Sequence, residues 1–129
     1  MIVAGLDIGS LTAKAVILGN NHLCSYALQS TGTDIVGVAR NVANEALERS
    51  GLSFEDVDCF VSTGYGRVSI PFALKTVTEI TCNAVGVHSV YPRARTILDI
   101  GGQDSKVIKI DDEGRVVKFA LNDKCAAGT

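Results

Sequence analysis

Features that mark several common protein classes are missing from this sequence. No run of about 18 apolar residues occurs in the chain, so no membrane-spanning helix is expected. The largest basic cluster is Arg93-Ala94-Arg95 and the net charge is −2, which argues against nucleic acid as the main partner, because phosphate backbones attract clustered lysine and arginine. The first residues lack the basic segment that opens a signal peptide. We therefore expect a cytoplasmic protein.

Local motifs exclude further possibilities. The sequence contains no Cys-x-x-Cys pair, so in a reducing compartment its four cysteines are expected to be thiols unless a metal binds them. The two commonest phosphate loops are also missing: there is no Gly-x-x-x-x-Gly-Lys-Ser/Thr, and no Gly-x-Gly-x-x-Gly opens a helix. With 129 residues, 47% hydrophobic and 20% charged, the chain has the composition of a globular protein with one ordinary core.

The sequence does contain a short segment that occurs twice. Residues 6–14 are LDIGSLTAK and residues 98–106 are LDIGGQDSK, with Leu, Asp, Ile, Gly and Lys at matching places. Apolar runs typical of strands flank both copies, which predicts two strand–turn–strand hairpins. One Ile-Gly turn on its own is usually an ordinary hairpin. Two copies in matching register favour a duplicated nucleotide site, with a polyphosphate held between the hairpins.

The hairpins contain groups that suit phosphate and Mg²⁺. Asp7 and Asp99 precede the turns and can hold hydrated Mg²⁺, a metal that binds a few carboxylates and keeps its waters. The alternative is that each aspartate only accepts hydrogen bonds from turn amides. Glycine turns let backbone N–H groups approach phosphate oxygens. The predicted amide donors are Gly9, Ser10, Gly101 and Gly102.

Several other polar residues are candidates for the same site. Gln103 or Asp104 is predicted to position the attacking water, and the sequence does not choose between them. Glu79 either contacts the nucleotide or is the N3 residue of a capping box in residues 76–79. Thr12 and Ser105 can add hydroxyl groups, and Lys14 and Lys106 either offset phosphate charge or are exposed strand residues.

Hydrophobic periodicity predicts an α/β protein with two helices, at residues 34–50 and 77–90. Thr33 is the predicted N-cap of the first helix, and Gly51 is its C-terminal glycine. Residues 53–56 are predicted to form a short capped turn. Ile80, Ala84, Val87 and Tyr91 are predicted to lie on one face of the second helix. The predicted strands cover residues 2–8, 13–19, 22–29, 57–62, 96–100, 106–110 and 116–121.

The element order is β-β-β-α-β-α followed by β-β-β. Residues 1–92 are predicted to form one lobe. The second set begins with the repeated segment, and residues 93–129 are predicted to be the opening strands of a second, truncated lobe. No helix or later strand of that copy precedes Thr129, so we expect a fragment or a shortened reading frame.

Four segments carry a resemblance to a known family: residues 63–67 (TGYGR), 78–82 (TEITC), 98–106 and 122–129 (NDKCAAGT). The hairpins and the element order resemble the acetate and sugar kinase, Hsp70 and actin superfamily, which implies ribonuclease-H-like, actin-type lobes. More narrowly, the chain resembles the activator ATPases of 2-hydroxyacyl-CoA dehydratases and the ATPase subunits of benzoyl-CoA reductase (BadF/BadG/BcrA/BcrD-type). Family members often have His where this chain has Asn83. The resemblance covers the whole chain but only about the first half of a typical member.

This resemblance implies an ATPase coupled to electron transfer. Such proteins bind and hydrolyse ATP, form homodimers that share one [4Fe–4S] cluster, and pass a low-potential electron to the dehydratase or reductase. The donor is a protein such as ferredoxin or flavodoxin, and the system is anaerobic. Cys125 matches the first cluster cysteine, and the small residues after it can open a helix whose amides stabilise a thiolate. The second cysteine would lie beyond Thr129, so we expect this fragment to be inactive by itself.

Two alternative functions remain open. One is a small-molecule kinase of the same superfamily, although the acceptor site and catalytic aspartate of a kinase are not evident in the sequence. The other is a non-enzymatic nucleotide switch of the actin or chaperone type, which would assemble with partners. An iron–sulfur absorbance favours the activator, phosphate transfer to a sugar or acid favours the kinase, and nucleotide-dependent polymerisation favours the switch.

Overall fold

The structure is a computed structural model and describes residues 1–122. These residues belong to two compact units, the first spanning Met1–Val77 and the second beginning at Thr78. Both units combine strands with one α-helix, which confirms the predicted α/β class. The predicted bounds of the helices and strands agree with the observed bounds to within two residues. Neither helix in residues 1–122 has the length and apolarity needed to cross a bilayer.

The first unit is a five-stranded mixed sheet with one helix against it. Strands β1 to β3 are antiparallel neighbours, β4 runs parallel to β1, and β5 runs parallel to β4, in the order β3-β2-β1-β4-β5. The parallel pairing brings the C-terminal ends of β1 and β4 to one edge, with Asp7 opposite Thr63. The elements are β1 (Ile2–Ile8), β2 (Thr12–Gly19), β3 (His22–Ser30), α1 (Ile35–Arg49), β4 (Cys59–Thr63) and β5 (Lys75–Thr76).

Small side chains line the interface between α1 and the sheet. Ala13 and Ala15 of β2 are fully buried, and so are Ala39, Ala43 and Ala46 of the helix. Methyl groups at these places let the helix backbone approach the sheet closely, while larger residues fill the remaining space. The larger buried members of this core include Leu6, Ile8, Ile17, Val42 and Leu47.

The ends of α1 differ in part from the prediction. Thr33 is not the N-cap: Asp34 takes that place, and its carboxylate accepts a hydrogen bond from the Gly37 N–H at 3.0 Å. Aspartate at the N-cap satisfies one of the first free amides and favours the positive end of the helix dipole. The predicted role of Gly51 is confirmed, since it follows the C-cap Ser50 and has φ +69°.

The second unit consists of α2 (Glu79–Val90) and a three-stranded antiparallel sheet. The strands are β6 (Thr96–Ile100), β7 (Ser105–Ile110) and β8 (Val116–Asn122), in that spatial order. Its core contains Ala84, Ile97, Ile108 and Ile110. Ile80 and Val87 pack against this core, whereas Tyr91 follows the last helical residue, Val90, and is 68% exposed.

The division between the units falls before α2, because this helix packs against the sheet of β6 to β8. The sequence analysis places the boundary between lobes after the same helix, at Pro92. That lobe boundary stays a prediction, since a compact unit and a lobe of the superfamily are different divisions of the chain.

Candidate functional site

The two copies of the repeated segment pair their strands in the same way. Asp7 of β1 is the cross-strand partner of Lys14 in β2, and Asp99 of β6 is the cross-strand partner of Lys106 in β7. Residues directly opposite each other on antiparallel strands have neighbouring side chains. The sequence repeat therefore corresponds to a repeated Asp–Lys pair.

The turns also close in the same way. The Gly9 N–H donates to the Thr12 carbonyl at 2.9 Å, and the Gly101 N–H donates to the Asp104 carbonyl at 2.8 Å. Ser10 and Gly102 lie inside these turns, at matching positions. All four predicted amide donors lie in tight turns that follow strand ends, but the N–H groups of Gly9 and Gly101 are used inside the turns, so their predicted role as donors to phosphate is wrong.

The first Asp–Lys pair is open to solvent. The Lys14 Nζ lies 3.4 Å from the Asp7 Oδ2, and the two side chains are 44% and 41% exposed. An exposed pair at this distance contributes little to stability, because water screens it. Both side chains are consequently available to a ligand.

Thr31 fixes the first turn, a role that the sequence analysis missed. The Thr31 side chain is buried, and its hydroxyl donates to the Gly9 carbonyl at 2.8 Å. Its backbone N–H donates to the Leu11 carbonyl at 2.9 Å. The one sequence signal is the segment QSTGT at residues 29–33, where apolar residues are missing at the end of β3. These bonds hold the turn in place without a ligand.

The glycine-rich segment after β4 packs against Asp7. Gly64 has φ +90°, and a Cβ there would lie 2.5 Å from the Asp7 Oδ1 and 2.6 Å from the Ile8 carbonyl oxygen. The Gly66 N–H donates to that same carbonyl at 2.8 Å. The neighbouring Thr63 hydroxyl is buried with no hydrogen-bond partner in residues 1–122. This segment lies at the C-terminal ends of parallel strands, where α/β proteins bind ligands.

The second Asp–Lys pair has a different environment. The Lys106 side chain is only 6% exposed, and its Nζ lies 2.8 Å from Asp104, 3.1 Å from Glu79 and 3.7 Å from Asp99. Burial alone would lower the pKa of Lys106, but hydrogen bonds and charges from Asp104 and Glu79 raise it overall. The alternative that Lys106 is an exposed strand residue is therefore wrong.

Helix α2 contributes two residues to this ion-pair cluster. Glu79 is the first residue of the helix and not the N3 residue, because Thr78 is the N-cap and accepts from the Thr81 N–H. The predicted capping box is therefore wrong. Asn83 lies one turn after Glu79, on the same face, and donates to the Asp99 Oδ2 at 3.1 Å.

The predicted site residues thus lie in two groups, one in each unit. The first group contains Asp7, Gly9, Ser10, Thr12 and Lys14, together with Thr31 and Gly64. The second contains Glu79, Asp99, Gly101, Gly102, Gln103, Asp104, Ser105 and Lys106, together with Asn83. Cys125 lies outside the described residues, so its predicted role as a cluster ligand stays a prediction.

The carboxylates suit Mg²⁺ held through water. No group of three or more His, Cys, Asp or Glu in the described part of the chain is arranged to hold a metal ion. Mg²⁺ does not need such a cage, since it keeps several waters and takes other ligands from phosphate oxygens. Asp7 and Asp99 are 41% and 36% exposed, so both can reach a hydrated ion.

Comparison with known proteins identifies the family of this chain. Residues 4–129 match the BadF/BadG/BcrA/BcrD ATPase family. The chain belongs to this family. An activator of lactoyl-CoA dehydratase from Anaerotignum propionicum is 47% identical to this BadF/BadG/BcrA/BcrD-type chain over its full length, which covers 50% of that relative.

Two solved structures are similar to this family member over all of its residues, both with a TM-score of 0.91. One is component A of the Acidaminococcus fermentans (R)-2-hydroxyglutaryl-CoA dehydratase, at 39% identity and covered to 50%. The other is the activator of the Clostridium difficile 2-hydroxyisocaproyl-CoA dehydratase with bound ADPNP, at 46% identity and covered to 48%. The chain therefore spans about half the length of these relatives.

More distant structures share the fold alone. The hexokinase of Thermus thermophilus, at 14% identity, has a TM-score of 0.63 and is covered to 48%. The two activator structures confirm the expected actin-like fold class. The likeness to the hexokinase concerns the fold only and carries no information on substrate.

Proposed function

We propose that this chain provides phosphate-binding hairpins of an ATPase that activates a 2-hydroxyacyl-CoA dehydratase or a benzoyl-CoA reductase. One observation carries the proposal: two hairpins with the same Asp–Lys register and glycine turn occur in a family member that is 46% identical to an activator solved with ADPNP. ADPNP is an ATP analogue, so the likeness supports binding of ATP and ADP.

Each hairpin has the groups to bind phosphate. The turn amides donate to phosphate oxygens, and the exposed Lys14 offsets their charge. Asp7 and Asp99 hold Mg²⁺ through water, which neutralises the charge that develops during hydrolysis. Hydroxyl groups of Thr12 and Ser105 add hydrogen bonds. The amide donors are Ser10 and Gly102, because the N–H groups of Gly9 and Gly101 already close the two turns.

Gln103 is the better candidate for orienting the attacking water. Its side chain is in the exposed part of the second turn, whereas the Asp104 carboxylate accepts from Lys106 at 2.8 Å. A neutral amide can both donate to and accept from a water molecule. Replacing Gln103 with Ala should therefore lower the hydrolysis rate more than it lowers nucleotide affinity.

Electron transfer is the second part of the proposal. Cys125 binds one iron of a [4Fe–4S] cluster shared by two subunits of a cytoplasmic homodimer, and the cluster supplies one-electron chemistry at low potential. A ferredoxin or flavodoxin donates the electron, and the dehydratase or reductase component accepts it. The resemblance of residues 122–129 to the family motif supports this role.

Anaerobic reconstitution of the full-length gene product with iron and sulfide tests the proposal. We expect an oxygen-sensitive visible absorbance in the wild-type protein, its loss in Cys125→Ala, and ATP hydrolysis in the wild type. Cys24→Ala is the matched control, because Cys24 is an exposed thiol away from the motif. ATP hydrolysis without any iron binding would instead support the kinase or the nucleotide switch.

A further inference from the structure

The two lysines of the repeat have different environments although their sequence positions match. Lys14 has one carboxylate partner at 3.4 Å and a side chain that is 44% exposed. Lys106 has three carboxylate partners within 3.7 Å and a side chain that is 6% exposed. Lys14 is therefore accessible to a ligand, whereas Lys106 is enclosed by its own partners. The matching sequence positions do not imply a matching function.

The ammonium group of Lys106 is surrounded by carboxylates. A lysine ammonium has three N–H donors, and three carboxylates surround this one. Two of them, Asp104 and Glu79, lie within hydrogen-bond distance, and Asp99 forms a longer ion pair. Because the Lys106 side chain is only 6% exposed, a phosphate oxygen that approached its ammonium group would also meet these three negative charges.

The partners of Lys106 come from three places in the chain. Asp99 lies in β6, Asp104 lies in the turn, and Glu79 is the first residue of α2. Asn83, one helical turn after Glu79, also donates to Asp99. The helix and the second hairpin are thus tied together through partly buried polar contacts.

We infer that Lys106 is a positioning residue. Its ammonium group holds the Asp99 and Asp104 carboxylates in place beside the second turn, and it does not contact phosphate. The role of neutralising phosphate charge belongs to Lys14. This inference rests on the proposed ATPase function and adds a division of labour between the two lysines.

Steady-state ATP hydrolysis and ADPNP binding by the full-length gene product test the inference. The variants are Lys106→Met, which keeps the length of the side chain without its charge, and Lys14→Met as the matched control. We expect Lys106→Met to lower kcat about 100-fold, the scale of loss from a misplaced catalytic group. Its affinity for ADPNP should change less than about threefold, whereas Lys14→Met should mainly weaken that affinity.

Two further variants keep the test decisive if Lys106→Met does not fold. Lys106→Arg retains the charge with a different geometry and should recover most of the rate. Glu79→Gln removes one partner charge and leaves Lys106 in place, so it should lower kcat with little change in ADPNP affinity. A cooperative thermal unfolding transition in each variant shows that the variant is folded, so that its kcat and ADPNP affinity can be compared with those of the wild type.

The outcomes separate the inference from the proposed function. Lys106 variants that weaken ADPNP binding as Lys14→Met does, with kcat retained, would show that Lys106 contacts phosphate. Variants with unchanged kcat and affinity would also overturn the inference, while the ATPase function would stand. A wild-type protein without ATP hydrolysis would overturn the proposed function and this inference together.

Discussion

At the scale of single residues, Gly64 packs against the Asp7 carboxylate with no space for a side chain. Its φ of +90° lies in the region that glycine adopts freely and other residues rarely adopt. A Cβ would also lie 2.5 Å from the Asp7 Oδ1. The backbone conformation and the lack of space each require glycine at this position. A side chain there would push against Asp7, the candidate Mg²⁺ carboxylate.

We predict that Gly64→Ala displaces Asp7 and weakens nucleotide binding. The affinity for ADPNP with Mg²⁺, measured by calorimetry, should fall about tenfold, and the free energy of unfolding should fall by about 1–3 kcal/mol because of backbone strain. Gly32→Ala is the control, since Gly32 has φ +65° and open space around it. Equal losses of affinity in both variants would contradict the role of the contact with Asp7.

Thr31→Val tests the hydroxyl that fixes the first turn. The variant leaves the Gly9 carbonyl without its side-chain donor, so the free energy of unfolding should fall by about 1–3 kcal/mol. Urea denaturation measures this change. Thr33→Val is the control at an exposed position, where about 0.5 kcal/mol or less is expected. A similar loss in both variants would mean that the hydroxyl does not stabilise the turn.

At the scale of elements, the short 3₁₀ turn at Phe54–Asp56 is capped by Ser53 and packs against the core through Phe54. The Asp56 carboxylate accepts from the backbone N–H and the hydroxyl of Ser53, at 2.8 and 3.0 Å. Phe54 stacks on Phe60 with 4.6 Å between ring centres and meets Phe72 edge to face. The predicted capped turn is confirmed, and the structure adds its contact with the aromatic cluster.

The hydrogen bonds between Ser53 and Asp56 make the free energy of unfolding depend on pH in the acid range. Hydrogen bonds from Ser53 lower the pKa of Asp56, so its contribution is present above the unfolded pKa of about 3.9 and is lost as pH falls through the folded value. Asp56→Asn should therefore destabilise the protein at pH 6, and its difference from wild type should shrink below about pH 4. Denaturation at several pH values measures this, with Glu55→Gln as control; a difference independent of pH would contradict it.

Elements with a local pattern were predictable, and elements without one were not. The helices and the seven longer strands follow from apolar spacing and from turn residues. Strand β5 has two residues and exists because it pairs with β4, so no local pattern indicates it. Asp34 as N-cap and Glu79 as first helical residue depend on the exact residue at which each helix starts. Apolar periodicity does not fix that start to better than one or two residues.

At the scale of the whole molecule, each unit has its own core and its own copy of the hairpin. A nucleotide that binds the folded protein and not the unfolded chain raises the free energy of unfolding. In the full-length gene product, ADPNP with Mg²⁺ at about 100 times its Kd should add about 2.7 kcal/mol to the free energy of unfolding. Chemical denaturation with and without ADPNP measures this, and Asp7→Asn should reduce the gain. No gain in the wild type would contradict nucleotide binding.

The amino-acid sequence by itself determined the class of fold, the bounds of most elements, the repeated hairpin and the family. These properties depend on residues that are near each other in the chain, and the repeat can be seen by aligning the two segments. The tertiary structure alone decided the different environments of Lys14 and Lys106, the turn contact of Thr31 and the packing of Gly64 on Asp7. Thr31 is 22 positions from Gly9, and Glu79 reaches Lys106 from another element. Only folding brings such residues together, because burial and charge pairing arise from neighbours in space.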